Sequence, residues 1–114
     1  MVEKTLFEKI VDREIPADIV FEDDECIAFR DINPQAPMHI LVCPKKAITM
    51  VSKAAEDDAA LLGRLLLNAA KIAAAEGYAD TFRLAVNNGA EVGQTVFHIH
   101  VHLLGGRSFS WPPG

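Results

Sequence analysis

The chain has 114 residues, enough for one domain with one sizeable core. Half of the residues are hydrophobic and 24% are charged, a composition of folded and not disordered protein. The net charge of −5 excludes a surface built to hold a long polyanion, and an aromatic share of 7% excludes a stacking platform for single strands, so no nucleic-acid partner is expected, although one nucleotide remains within reach.

Met1-Val2-Glu3-Lys4-Thr5 holds no basic stretch followed by an apolar run, and no apolar run approaches membrane length. Cys26 and Cys43 sit in strand-like segments without Cys-x-x-Cys spacing. Buried free thiols in a cytoplasmic protein with no membrane partner are the expectation, and one disulfide is the alternative.

Thr5-Leu6-Phe7-Glu8 reads as a capping box that opens a short helix. Leu6, Phe7, Ile10 and Val11 form its apolar stripe, and Ile15-Pro16 marks its end. Ile19-Val20-Phe21 predicts a strand, residues 22–25 a tight acidic turn, and residues 26–32 the second arm of a hairpin. Two prolines make residues 33–37 a loop. Residues 38–43 form a third strand, stopped at Pro44-Lys45-Lys46. Residues 56–76 predict a long helix with acids in its first turn and Gly77 at its stop. Its polar stripe is narrow, only Arg64, Asn68 and Lys71, so its surplus apolar surface points to a second covering partner and to a homodimer. Residues 81–87 predict a fourth strand, residues 88–93 a loop, and residues 96–104 a fifth strand closed by Gly105-Gly106. The tail, residues 107–114, carries the sole tryptophan, Trp111, and is either docked or disordered. The order α-β-β-β-α-β-β gives one α+β domain over residues 1–114, with a five-stranded, mostly antiparallel sheet and one short and one long helix.

The fifth strand reads Phe97-His98-Ile99-His100-Val101-His102-Leu103-Leu104. Alternation puts Phe97, Ile99, Val101 and Leu103 on the core face. His98, His100 and His102 then form a row on the other face, spaced by roughly 6.6 Å. Three readings compete: a half-exposed face that merely carries histidines, a zinc site joined by His39, and acid–base or nucleophilic chemistry on a phosphoryl group. Packing has no need of three imidazoles in a row. A zinc site gains no cysteine or carboxylate from the neighbouring sequence. Imidazole titrates near pH 6.5, so the row supplies an attacking nitrogen flanked by proton donors, and the third reading is preferred.

The segment His98-Ile99-His100-Val101-His102-Leu103-Leu104 matches the histidine triad motif at every position. Glu14-Ile15-Pro16-Ala17, Phe21-Glu22-Asp23-Asp24, Pro34-Gln35-Ala36-Pro37, Pro44-Lys45-Lys46, Gly93-Gln94, Leu104-Gly105-Gly106-Arg107 and Trp111-Pro112-Pro113-Gly114 extend the likeness over nearly the whole chain. The sequence thus resembles the histidine triad (HIT) superfamily, and in its Trp-Pro-Pro-Gly ending the HINT branch of histidine triad nucleotide-binding proteins.

That resemblance implies the HIT-like fold as a dimer. It implies hydrolysis of purine nucleoside 5′-phosphoramidates, and of acyl-adenylates, through a nucleotidyl-histidine intermediate; a nucleotide- or zinc-binding adaptor is the alternative. By the same resemblance His100 is the nucleophile, His102 the phosphate contact and leaving-group relay, and His98 and His39 support them. Asn87, Gly93, Gln94 and Thr95 match phosphate-site positions, Thr95 standing where relatives commonly carry serine. Leu6, Phe7, Ile10, Ile15, Phe29 and Ile32 would hold the base, Asp31 the ribose hydroxyls, and Trp111 would reach the partner subunit's site. By their spacing alone, Leu6, Phe7 and Ile10 equally read as plain core. No cofactor is required. Ala47 and Arg30 stand where relatives carry histidine, and the loss at position 47 weakens the zinc reading.

Overall fold

The computed structural model describes residues 3–114. The Thr5 hydroxyl accepts from the Glu8 amide (3.0 Å) and the Glu8 carboxylate accepts from the Thr5 amide (2.9 Å), which completes the capping box and starts α1, Leu6–Val11. The helix ends four residues before the expected Ile15-Pro16 stop, because Arg13 enters the left-handed region at φ 62°.

Five strands follow: β1 (Ile19–Glu22), β2 (Cys26–Arg30), β3 (Met38–Pro44), β4 (Arg83–Ala85) and β5 (Val101–Gly105). They form one sheet in the order β1-β2-β3-β5-β4, and every pairing is antiparallel. The second strand stops at Arg30, and the fourth and fifth are shorter than expected. The fifth pairs with β3 only from Val101 onward, opposite Val42. Before that point the Ile99 amide turns to the Ile48 carbonyl at 2.7 Å, so His98 and His100 lie on a segment peeled away from the ladder. The alternation survives back to Ile99, which is buried, but Phe97 is 43% exposed and leaves the expected core face.

The long helix α2 runs Ala59–Ala75. Residues Glu56–Asp58 form a separate 3-10 turn and not its first turn. The Asp58 carboxylate accepts from the Ala55 amide (2.9 Å) and from Lys46 Nζ (2.6 Å), closing that turn before the α-helix begins.

The sheet is buried on both faces. Cys26, Ala28, Met38, Ile40, Val42, Ile99, Val101 and Leu103 pack against Leu65, Ala69, Ile72 and Ala73 of α2. Ile27, Phe29, Leu41 and Cys43 pack against Phe7 and Ile10 of α1. Strand alternation alone explains this division. It sets the two cysteines on opposite faces, free and buried, so the disulfide alternative falls. Asn68, expected on the polar stripe of α2, is instead 1% exposed and donates to Asp23 across the sheet edge (3.3 Å). Leu66 and Leu67 are exposed, together with Gly63 and Ala74, so α2 carries an uncovered apolar stripe. Among the described residues no helix is long and apolar enough to cross a membrane.

Candidate active site

On the α1 face the sheet and helix leave a cleft of about 340 Å³, within the ordinary size of a small-molecule site. Leu6, Phe7, Ile10, Ile15, Phe29 and Ile32 all line it, with Asp31, Thr95, His100 and His102. Phe7 and Ile10 are at once core and cleft wall (3% and 5% exposed), so the two readings of the helical stripe describe one surface. Leu41 and Val96 also line the cleft and were not anticipated. Leu41 could have been found, since it lies two residues from His39 and so shares its face of β3.

His100 and His102 line the cleft, His39 and His98 adjoin them through hydrogen bonds, and the partners of the four imidazoles determine which nitrogen carries each proton. His98 is fully buried. Its Nε2 lies 2.7 Å from the Pro44 carbonyl, which can only accept, so Nε2 is protonated. Its Nδ1 then accepts from the Thr5 hydroxyl at 2.8 Å. His100 donates from Nδ1 to the His98 carbonyl (2.8 Å), which fixes the tautomer whose lone pair lies on Nε2. His39 accepts the Gln35 amide proton at Nδ1 (3.0 Å), so its own proton sits on Nε2 and is donated to His102 Nδ1 (2.9 Å). His102 therefore carries its proton on Nε2.

Burial holds three of these rings neutral. It pushes the His98 and His39 values below the ordinary imidazole range. Burial, reinforced by His100 and His39, pulls His102 down to about 4. The rings of His100 and His102 stand 5.0 Å apart, and the Phe7 ring meets His100 edge-on at 5.0 Å. The constellation thus offers a bare nitrogen and a ring N–H side by side.

Asp31 comes closer to the histidines than its sequence position implies. Its carboxylate lies 3.5 Å from His39 Nε2 and accepts the Asn33 amide proton at 2.8 Å. Asp31, His39 and His102 offer one ligand atom each within 4.8 Å, so the tertiary structure supplies the carboxylate that the local sequence lacked for a metal. A metal there would have to break the hydrogen bond between His39 and His102. The neighbouring Arg30 is pinned by Glu76 in a two-pronged pair (2.9 and 3.2 Å), with Asp18 at 3.5 Å. Its guanidinium ties β2 to the end of α2.

Other expected residues are placed differently. Gln94 is 2% exposed, and both of its amide protons go to backbone carbonyls, Thr49 (2.8 Å) and Val96 (3.2 Å), while its oxygen accepts the Gly89 amide. Its side chain closes the loop before Thr95 and has no proton left for a phosphate. Gly93 adopts φ 113°, ψ 8°, a conformation that suits glycine, and a Cβ there would come 3.5 Å from the Asn87 carboxamide. Asn87 and Gly93 lie beside this loop, outside the cleft lining. Trp111 is 82% exposed and does not reach the cleft of its own chain. The tail instead lies beside the edge strand β4, where the Arg83 and Arg107 guanidinium groups both lie over the Phe109 ring (5.0 and 4.0 Å) and Arg83 donates to the Ser110 carbonyl.

Comparison with known proteins matches residues 12–109 to the HIT domain. An uncharacterized HIT-like protein of Synechocystis is 63% identical over all 114 residues of both chains. An Arabidopsis thaliana protein named adenylylsulfatase HINT1 is 53% identical over 96% of this chain and 76% of its own. Among solved structures, a HIT family hydrolase from Legionella pneumophila superposes with a TM-score of 0.94 at 51% identity, over 97% of this chain and 100% of the other. The antiparallel five-stranded sheet with one long helix is the HIT-like fold, and the chain belongs to the HIT family.

Proposed function

We propose that this protein is a nucleotide hydrolase acting at the α-phosphorus of nucleoside 5′-phosphoramidates and related adenylates, with a preference for purines. The observation that carries this reading is the proton pattern of the site: a bare His100 Nε2 and a protonated His102 Nε2 on rings 5.0 Å apart. His100 Nε2 attacks phosphorus and forms a P–N bond. The bond from phosphorus to the substrate's amine breaks, and the amine leaves with the Nε2 proton of a His102 ring that the bound anionic phosphate has charged, so that the ring returns to its neutral form. The His98 carbonyl, held by His100 Nδ1–H, stabilises the positive charge that develops on the attacking ring. Water then attacks phosphorus, His102 takes up its proton, and the nucleoside monophosphate and neutral His100 are released.

The base lies against Phe7, Ile10, Ile15 and Phe29, and the ribose hydroxyls donate to Asp31. Thr95 donates to the phosphate or the leaving group from the cleft edge. An apolar slot reads the shape of a ring system more than its polar edge, so adenosine and guanosine both fit. The reaction uses no cofactor, and a chelator is expected to leave turnover unchanged. The Arabidopsis relative is named an adenylylsulfatase, which adds a sulfate leaving group to those worth testing.

The exposed stripe of Leu66 and Leu67 on α2 supports a homodimer, with the tail around Trp111 delivered to the partner's cleft. Two buried reduced thiols fit a cytoplasmic setting. The deciding experiment gives purified protein a panel of nucleoside phosphoramidates, acyl-adenylates and adenylyl sulfate, ranked by kcat/KM. Nucleotide binding with no turnover of any member would replace the enzyme by a binding adaptor.

A further inference from the structure

Thr5 uses one hydroxyl for two hydrogen bonds to different parts of the molecule. The oxygen accepts the Glu8 amide proton at 3.0 Å and so caps α1. The hydroxyl proton goes to His98 Nδ1 at 2.8 Å, across 93 residues of sequence. A helix cap needs only the first bond. Asp, Asn and Ser all cap as well as or better than Thr, and capping alone gives no reason for a side chain that also donates.

The second bond has a defined receiver. His98 is fully buried, its Nε2 is committed to the Pro44 carbonyl, and Nδ1 has the Thr5 hydroxyl as its partner. The backbone carbonyl of His98 in turn holds His100 Nδ1–H at 2.8 Å. From Thr5 to the Nδ1 edge of the nucleophilic ring the path is therefore one hydroxyl, one imidazole and one peptide carbonyl. Phe7, two residues beyond Thr5, touches both rings edge-on (5.7 and 5.0 Å), so the helix that walls the cleft and the ring that would attack are registered by the same segment.

We propose that Thr5 is a positioning residue of the histidine site, whose hydroxyl proton locks the His98 ring and, through the His98 carbonyl, orients His100. Its kinetic consequence rests on the hydrolase reading above; its structural consequence does not. Three variants separate the cap from the lock. Thr5→Ser keeps both bonds. Thr5→Val loses both. Thr5→Asp keeps the cap but places an acceptor against His98 Nδ1, which favours a second proton on that ring, with Glu8 and His100 as the nearest other titratable groups.

The test combines kinetics with ring-nitrogen correlation NMR on the full chain. Thr5→Val and Thr5→Asp are expected to lose about 10-fold in kcat with KM changed less than about 2-fold, and Thr5→Ser to recover most of the rate. In the same samples, the downfield His100 Nδ1 proton is expected to be sharp in the parent and in Thr5→Ser and broadened by exchange in Thr5→Val. His98 is expected to gain a proton at neutral pH only in Thr5→Asp. Identical His98 and His100 ring signals in all four proteins would overturn the proposal whether or not any of them turns over substrate. An inactive parent with the expected NMR changes would instead overturn the hydrolase reading and leave the lock standing. Thr5→Asp with parental kcat would reduce Thr5 to a cap, and Thr5→Ser as slow as Thr5→Val would overturn the lock by moving the contribution of Thr5 from its hydroxyl to its methyl group.

Discussion

His39 Nε2 lies 2.9 Å from His102 Nδ1, and this contact turns the protonated edge of His102 toward the cleft. An amine leaves phosphorus only if it is protonated, whereas sulfate leaves as a stable anion. His102→Ala is therefore expected to lower phosphoramidate turnover by about 10²–10³-fold and adenylyl sulfate turnover much less. Equal losses on the two substrates would remove His102 from the proton path.

His100→Ala is expected to abolish turnover, a loss on the order of 10³-fold or more. Intact-mass measurement of the parent, quenched during turnover, should show one nucleotidyl adduct, and His100→Ala none. His98→Ala should be weakened but active, because the carbonyl that holds His100 belongs to the backbone and survives truncation of the ring. Mild and equal losses for both variants would place the nucleophile elsewhere.

Asp31→Asn is expected to raise KM about 10-fold for a ribonucleotide substrate, the scale of one hydrogen bond to a charged group. The parent should discriminate against 3′-deoxyadenosine 5′-phosphoramidate, and the variant should not. Discrimination retained in the variant would take Asp31 off the ribose.

Stability should depend on pH in a window set by the buried histidines. In the fold His102 sits at about 4, and His39 and His98 are also lowered by burial, against about 6.5 when unfolded. Between those values the unfolded chain binds more protons, so stability is full above pH 6.5 and falls as pH drops toward 4. The melting temperature should decline steadily from pH 7 to 4.5. A flat profile over that range would show that the rings are not held neutral.

The tail can be tested by truncation, but its cut point matters. Arg107 donates from Nε to the Gln35 carbonyl (2.8 Å), and the Gln35 amide holds His39. Removing residues 107–114 would disturb the His39–His102 pair as well as the tail. Removing residues 111–114 leaves Arg107 and Phe109 in place, and is expected to change substrate preference without lowering the melting temperature. Sedimentation should show a dimer of the full chain that Leu67→Glu on α2 converts to monomer. Unchanged kinetics after the shorter truncation would separate Trp111 from any active site.

The elements legible in the chain were those governed by local rules. The Thr5–Glu8 capping box, the strand alternation that sends Val101 and Leu103 to one face and His100 and His102 to the other, and the proline-bounded loop before Met38 each rest on contacts within a few residues. The same rules misjudge ends, because ends depend on a partner. The fifth strand starts at Val101 because Ile48, half the chain away, takes the Ile99 amide.

The chemistry of the site belongs to the tertiary structure. Motif and periodicity identify the histidines and the apolar stripe of α1. They carry no information on protonation, which is set by donors and acceptors from distant segments: the Pro44 carbonyl on His98, the Gln35 amide on His39, the Thr5 hydroxyl on His98. Asp31 becomes a neighbour of His39 only when β2 and β3 pair, and the Gln94 amide protons are taken up only when its loop closes on Thr49. Local sequence sets which face a residue occupies, because that follows from the backbone period. Which nitrogen carries a proton follows from groups that chain closure brings within about 3 Å of it.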